Sequence, residues 1–528
     1  MDRTELETMT GRKILQTAAM LLAIFAASFG IRIPQLKGPL RYYRELWLTS
    51  TVLIHLQIWH QEGIAQAHFA PIMTYPGAAN KNIGNQYSHH MDAEGNYYYT
   101  SYAPGALYLP YAICEVFHIY PSATPLRVLN LLWHFICGVL IFLTLQLLLD
   151  QEHELLPIPA LFGFVIYIFT PQTLWLQANI YFCDIFAQTL FIGGIYLLLR
   201  RVKGRSSATW WPLGFGVYLF LFVYCDWIGF TFACGAFLFS CLYRKRPSFR
   251  GVPLAIVAGV SLALAVTAWQ YSSISGLRSF LDSATQRYLY RSGYTESAAF
   301  HLQIWSLVGW TRILIYYVRG FIPDCVLIAF LAVLKGKSRV LPPSREINAT
   351  LFFTAVLPVL LHHVVFFNFT AVHDFSVLKA APAFAILSGL LAGAVWRARS
   401  AQGFSDPLRQ SLVLASLALF CTWGVRQYEN LIGPDLPAYK TIGDSIAQNA
   451  RPDEIVFVRY SDDFLAYYPD AVEEPLPAIV LYAHRNIAVW TDEESARQLA
   501  QKNGVSHAIV FAINSAGDAI TEIRRLNL

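Results

Sequence analysis

Apolar positions dominate the chain as far as about residue 425, interrupted at intervals by short polar or basic stretches. Eleven segments stand out, near 14–33, 126–149, 157–173, 182–199, 209–225, 228–243, 252–271, 321–334, 349–367, 376–396 and 409–425. A helix needs about 20 apolar residues to cross a hydrocarbon core of about 30 Å. The pattern therefore predicts an α-helical multi-pass membrane protein of about eleven transmembrane helices, several of them short. Two regions break the rhythm. Residues 34–125 form a first loop too long to be a connector, and residues 272–320 form a second, aromatic and basic one.

The first loop carries structure of its own. Over 42–60, Leu46, Leu53, Ile54, Leu56 and Trp59 alternate with Arg44, Glu45 and Gln57, which predicts an amphipathic helix. Further on, "YYYTSYAPGALYLPYAICEVFHIY" is apolar and aromatic but broken by Pro104 and Pro110, which predicts a helix lying in the membrane interface. After residue 425 the pattern turns to that of a soluble domain. A helix near 439–450, strands "EIVFVRY" and "AIVLYAHR", a helix near 493–502, a strand "HAIVFAI" and a final helix predict a small α/β domain over 426–528, following a membrane domain over 1–425.

Composition agrees with this division. Hydrophobic residues make up 55% and charged residues 14%, against about 25% charged in an ordinary soluble protein. The first apolar segment is followed by "GIRIPQL", a poor cleavage site, and is expected to stay as an anchor. Basic clusters at Arg12/Lys13, "RRVKGR", "YRKRPSFR", "KGKSR" and "WRARS" all fall on one side if the eleven segments alternate. Lys and Arg are retained on the cytoplasmic side, so the N-terminus is expected inside, with residues 34–125 and the C-terminal domain outside. Those anchors account for the net charge of +5, and no nucleic-acid partner is implied. The eight cysteines lie in apolar segments, which predicts neither a disulfide framework nor a thiolate metal site.

Ionisable groups at membrane depth are expensive and usually face a cavity or a partner. Here Asp184, Asp226, Asp324, His373, Asp374 and Lys379 gather near the outer ends of segments, which predicts a cavity opening outward; His134, His362 and His363 are the mid-depth candidates. The "HHMD" stretch, His89 to Asp92, offers two imidazoles and a carboxylate to a divalent cation, though adjacent histidines rarely reach one ion. No cofactor is otherwise implied.

A first span leading to a carboxylate-bearing outer helix, an interfacial helix entered through "SYAPGALYLPYAICEVF", basic inner loops and "HDFSVLKAAPAFAIL" at a late span together resemble the integral-membrane glycosyltransferases of the GT-C fold. The likeness is to the protein mannosyltransferase-like and aminoarabinose transferase-like bacterial branch. It implies a polyprenyl-phosphate sugar donor, hexosyl or pentosyl transfer to an envelope glycan, lipid or protein, and residence in a bacterial plasma membrane. It also implies an acidic residue of the first outer loop near the reacting groups. Relatives often carry an Asp-Glu pair there, and this chain reads Arg44-Glu45.

Transfer needs a carboxylate to take the acceptor proton and cationic groups on the departing phosphate. Glu45 is the first expectation for the base, and Asp92 the second. Lys379, His373, Arg44, Arg287 and Arg291 are expected at the phosphate, with Tyr97, Tyr98, Tyr99, Tyr102, Asp184 and Asp226 at the substrate. Each has a plain structural alternative. Glu45 pairs with a nearby Arg, Asp92 sits in the turn sequence "DAEGN", and Lys379 snorkels to the interface. The rival readings are a transporter, flippase or receptor for a lipid-linked sugar, and a homologue that has lost activity at Arg44-Glu45.

Overall fold

The structure, a computed structural model, describes residues 3–42, 44–84, 90–151, 154, 156–205, 209–294, 302–336, 344–397, 406–432, 437–461 and 476–528. Among these residues eight helical spans are long and apolar enough to cross a membrane: Ile14–Leu36, Ala123–Leu148, Cys183–Val202, Pro247–Ser275, Leu307–Lys335, Arg345–Val365, Asp374–Arg397 and Pro407–Ile432. Two shorter apolar helices, Trp211–Val223 and Trp227–Leu242, pack among them. The segment expected as one span near 157–173 is instead two helices, Ile158–Phe169 and Pro171–Asn179, bent by 58°. Pro171 supplies no N–H and pushes Thr170 out of the helical region, to ψ 130°. All eleven expected segments thus fall on helices.

The second loop is shorter than expected, because Ser306 caps a helix that runs unbroken from Leu307 to Lys335. Before it, a separate helix, Leu277–Ser292, lies between Gly276 and Gly293, both at positive φ. In the first loop the helix is Ser50–Glu62, preceded by a π-helical turn over Glu45–Thr49. It is not amphipathic in its surroundings: residues 50–59 are buried on every side. Its polar groups are satisfied inside, His55 Nδ1 on the Ile72 carbonyl at 2.6 Å and Gln57 Nε2 on the Pro121 carbonyl at 3.1 Å. The helix expected at the interface is Gly105–Val116, with Leu109 and Val116 exposed on it and Phe117 exposed just beyond its end.

The C-terminal module is an α/β unit with a four-stranded sheet in the order β4-β3-β5-β6. β3 (Glu454–Tyr460) pairs in parallel with β4 (Ile487–Val489) and β5 (His507–Ile513), and β5 pairs antiparallel with β6 (Ile520–Asn527). Two expectations are corrected here. The "AIVLYA" run forms a helix, Pro477–Ala483, because a short wholly apolar run fits a buried helix as well as a strand. The final segment is a strand, because β5 needs a partner for its open edge; the turn before β6 is closed by Asn514, whose Oδ1 accepts from the N–H groups of Asp518 and Ala519.

This module is clasped to the first loop. Asn486 accepts from the Tyr75 N–H at 2.7 Å and donates to the carbonyls of Met73 and Ile83, while its own N–H donates to Asn80 Oδ1. Tyr482 Oη accepts from the Leu40 N–H at 2.7 Å. Asn486→Leu would strand these buried groups at about 1 to 3 kcal/mol each. The expected result is faster protease release of the C-terminal module from the intact protein, with the membrane core unchanged. At the opposite end the basic loops meet one another: Arg201 donates to the Ser248 carbonyl, Lys203 pairs with Asp150, Arg246 with Glu346, and Arg397 donates to the Leu149 carbonyl.

Candidate active site

Four connectors converge beneath the first loop. Gly105 opens the interfacial helix with its N–H on the Tyr224 carbonyl at 3.1 Å, and a Cβ there would lie 2.5 Å from that same oxygen. Only glycine permits this approach, which seats the loop directly on the turn that carries Asp226. Asp226 is the N-cap of Trp227–Leu242, its Oδ1 accepting from the Ile228 N–H at 2.8 Å. Its Oδ2 is buried and has no hydrogen-bond partner among the described residues. Asp184 sits in the first turn of Cys183–Val202, so both carboxylates lie where a helix dipole favours negative charge.

Lys379 reaches Asp184 from a 3-10 segment, Asp374–Ala380, and the two form a fully buried ion pair. The segment is held by Gln188, which donates to the Leu378 carbonyl at 3.1 Å, and Gln172, which donates to the Asp374 carbonyl at 2.9 Å. Arg291 enters from the last turn of Leu277–Ser292. That helix must stop at Gly293, where φ is 84° and a Cβ would meet the Leu302 carbonyl oxygen at 2.3 Å. The Arg291 guanidinium lies 4.4 Å over the Tyr102 ring and 5.1 Å over Phe369. Although 7% exposed, it makes no hydrogen bond and no ion pair among the described residues. Tyr99 stacks on Tyr102, and Phe182 stands edge-on to both Tyr102 and Phe375. A narrow apolar cleft adjoins this wall, lined by Val52, His55, Tyr99, Tyr102, Leu107 and Cys183 among others.

The structure therefore brings together Asp184, Asp226, Lys379, Arg291, Tyr99 and Tyr102. His373 is stacked on Phe375 and close enough for the charges of Arg44, Arg291 and Lys379 to act on it. Arg44 is paired with Asp374 at 3.0 Å. Arg287 lies over the Tyr290 ring at 5.8 Å, on the rim.

The two carboxylates expected as bases are committed elsewhere. Glu45 has no exposed surface; Arg127 grips its Oε1 at 2.6 and 2.7 Å, and the Arg41 N–H donates to its Oε2 at 2.9 Å. Asp92 closes the turn between β1 (His90–Met91) and β2 (Tyr97–Tyr98), accepting from the N–H groups of Glu94 and Asn96, from Asn96 Nδ2 and from Tyr98 Oη. Burial would raise its pKa, but these bonds together outweigh it and hold the carboxyl below the ordinary aspartate value. Tyr97 and Tyr98 go with this hairpin, not with the cluster. In "HHMD", His89 lies outside the described residues. His90 is buried, and its Nδ1 contacts Ser279 Oγ at 3.4 Å.

Asp324 stands apart, bound to Thr170 at 2.7 Å. Of the mid-depth histidines, His134 holds Arg32 at 2.7 Å and His363 meets Tyr317 Oη at 2.8 Å. Sequence reasoning missed Arg127. Its signal was present, a charged residue inside an apolar segment.

This arrangement of helices and connectors is the GT-C fold. Three solved structures share it: ArnT from Cupriavidus metallidurans, bound to undecaprenyl phosphate, is similar at a TM-score of 0.57 and 12% identity, over 94% of this chain and 93% of that one. The oligosaccharyltransferase of Archaeoglobus fulgidus is similar at 0.56 and 12%, over 94% and 69%. Its complex with an inhibitory peptide and a dolichol-phosphate, under the name AglB, gives 0.52 and 13% over 94% and 70%. No protein-family model matches the sequence, and no curated protein does.

Proposed function

We propose that this chain is a membrane glycosyltransferase that moves a sugar from a polyprenyl-phosphate carrier to a hydroxyl-bearing acceptor. The observation that carries this reading is Arg291, a buried guanidinium clamped between two aromatic rings with its donors unclaimed, beside a carboxylate with a free oxygen. A planar fork of N–H donors suits a phosphate. The N-termini of Cys183–Val202 and Trp227–Leu242 add favourable dipoles beside it.

In the reaction, the acceptor oxygen bonds to the anomeric carbon as the bond from that carbon to the phosphate oxygen breaks. Arg291 holds the departing phosphate as its charge grows, and Asp226 Oδ2 takes the acceptor proton. Tyr99, Tyr102 and Phe182 wall the sugar from water. His373 is a further donor to the phosphate, and Lys379 fixes Asp184. The roles first expected for Glu45 and Asp92 pass to Asp226, because both of those carboxylates are already saturated. ArnT with undecaprenyl phosphate and AglB with dolichol-phosphate support the donor class.

The face bearing the basic loops is cytoplasmic in this reading, so transfer occurs on the outer side of a bacterial plasma membrane, onto an envelope glycan, lipid or protein. The sugar is a hexose or pentose. Release of labelled sugar from a panel of polyprenyl-phosphate sugars to envelope acceptors tests the proposal. Arg291→Ala is expected to weaken donor binding by about 10- to 100-fold, since a hydrogen bond to a charged group is worth about 1.5 to 3 kcal/mol. Arg291→Lys should recover only part of it, because an ammonium lacks the fork. Carrier binding without transfer to any acceptor would count against an enzyme.

A further inference from the structure

Cys183, Asp184 and Asp226 each offer one ligand atom, and these atoms lie within 4.8 Å of one another. All three residues are buried, and Asp226 Oδ2 has no hydrogen-bond partner among the described residues. Two carboxylate oxygens and a sulfur at that spacing are a donor set for a divalent ion such as Mn or Zn. A cation already stands there. The Lys379 ammonium is bonded to Asp184 and close enough to Asp226 for their charges to interact. With Arg291 nearby, two carboxylates face two cationic side chains, so the cluster is balanced. A dication entering beside them would add two uncompensated charges in a buried site, and one of the Asp184 oxygens, Oδ1, is already bonded to the ammonium. The segment leading into Lys379 is held by Gln188 on the Leu378 carbonyl and Gln172 on the Asp374 carbonyl, which keeps the lysine over the cluster.

We propose that Lys379 is a built-in cation of this site, holding the place that the Cys183, Asp184 and Asp226 donors would otherwise give to a divalent metal ion. The chain accordingly works without such an ion and acquires a metal site when the lysine charge is removed. The inference rests on the proposed function only for its location. Metal binding is read without turnover, so failure of transfer and failure of this proposal are separate results.

The test uses the full chain, stripped with a chelator and then dialysed against Mn²⁺ or Zn²⁺ with the bound metal counted. Wild type is expected to retain none, Lys379→Met one equivalent, and Lys379→Met with Asp226→Asn none. Lys379→Arg, which keeps the charge, is also expected to retain none. An equivalent bound by wild type and lost in Asp226→Asn overturns the proposal, whether or not the lysine variants fold. So does a folded Lys379→Met that binds no metal; if that variant does not fold, Lys379→Gln replaces it. Transfer by wild type should be unchanged by a chelator, and transfer lost to the chelator and restored by Mn²⁺ would equally overturn the idea.

Discussion

Asp226→Asn is expected to lower the turnover of sugar transfer by about 100- to 10,000-fold, the range for losing a positioned proton acceptor. The substitution is chosen to separate chemistry from folding. Asp226 has two jobs, and only one of them needs a charge. Its Oδ1 caps a helix by accepting from the Ile228 N–H, and Asn caps as well as Asp. The melting temperature should therefore move little, and binding of the lipid carrier should persist because Arg291 is untouched. The outcome that would sink the assignment is a folded Asp226→Asn protein with near wild-type turnover. The base would then have to be sought elsewhere, with the first loop the natural place to return to.

Glu45→Gln is expected to act in the opposite way, on stability and not on chemistry. Glu45 and Arg127 are both fully buried, and removing one partner of such a pair leaves the other charge uncompensated, at a cost of about 3 to 5 kcal/mol. Arg127 keeps its bonds to the carbonyls of Gly38 and Pro39, which soften the loss but do not neutralise the charge. The measurements are yield, thermal melting and transfer per folded molecule. Yield and melting should fall, and transfer per folded molecule should hold. The double variant Glu45→Met with Arg127→Met should recover much of the lost stability, because it replaces the buried pair by apolar groups instead of splitting it. Folded Glu45→Gln protein without transfer would restore Glu45 to the reaction.

These two expectations show where sequence reasoning carried and where it stopped. The cluster was legible: Asp184, Asp226 and Lys379 stand out because charge inside an apolar segment needs a reason. Arg291 was visible only as one of several basic residues in an aromatic loop, and nothing local marked it as the one that turns inward. Its orientation depends on Gly293 ending the helix and on Tyr102 and Phe369 receiving the guanidinium. For Asp92 the turn was legible, since "DAEGN" closes a hairpin. In the C-terminal module the run 477–483 was ambiguous in principle. A wholly apolar heptad carries no period, and packing against Ala438–Asn449 and Ser50–Glu62 decides for helix.

By itself the sequence determined the membrane class, the places of the apolar helical segments and the change to a soluble module near the C-terminus. Those properties are local: a bilayer demands about 20 apolar residues wherever a helix crosses it, and a run of that kind is read without knowing its neighbours. Tertiary structure alone decided which carboxylates meet a cation or a turn N–H and which keep an oxygen without a hydrogen bond among the described residues. Glu45 meets Arg127 across 82 residues, and Asp184 meets Lys379 across 195. Such pairs leave no periodic trace in the chain, because a buried charge is neutralised by whatever the folded helices bring beside it.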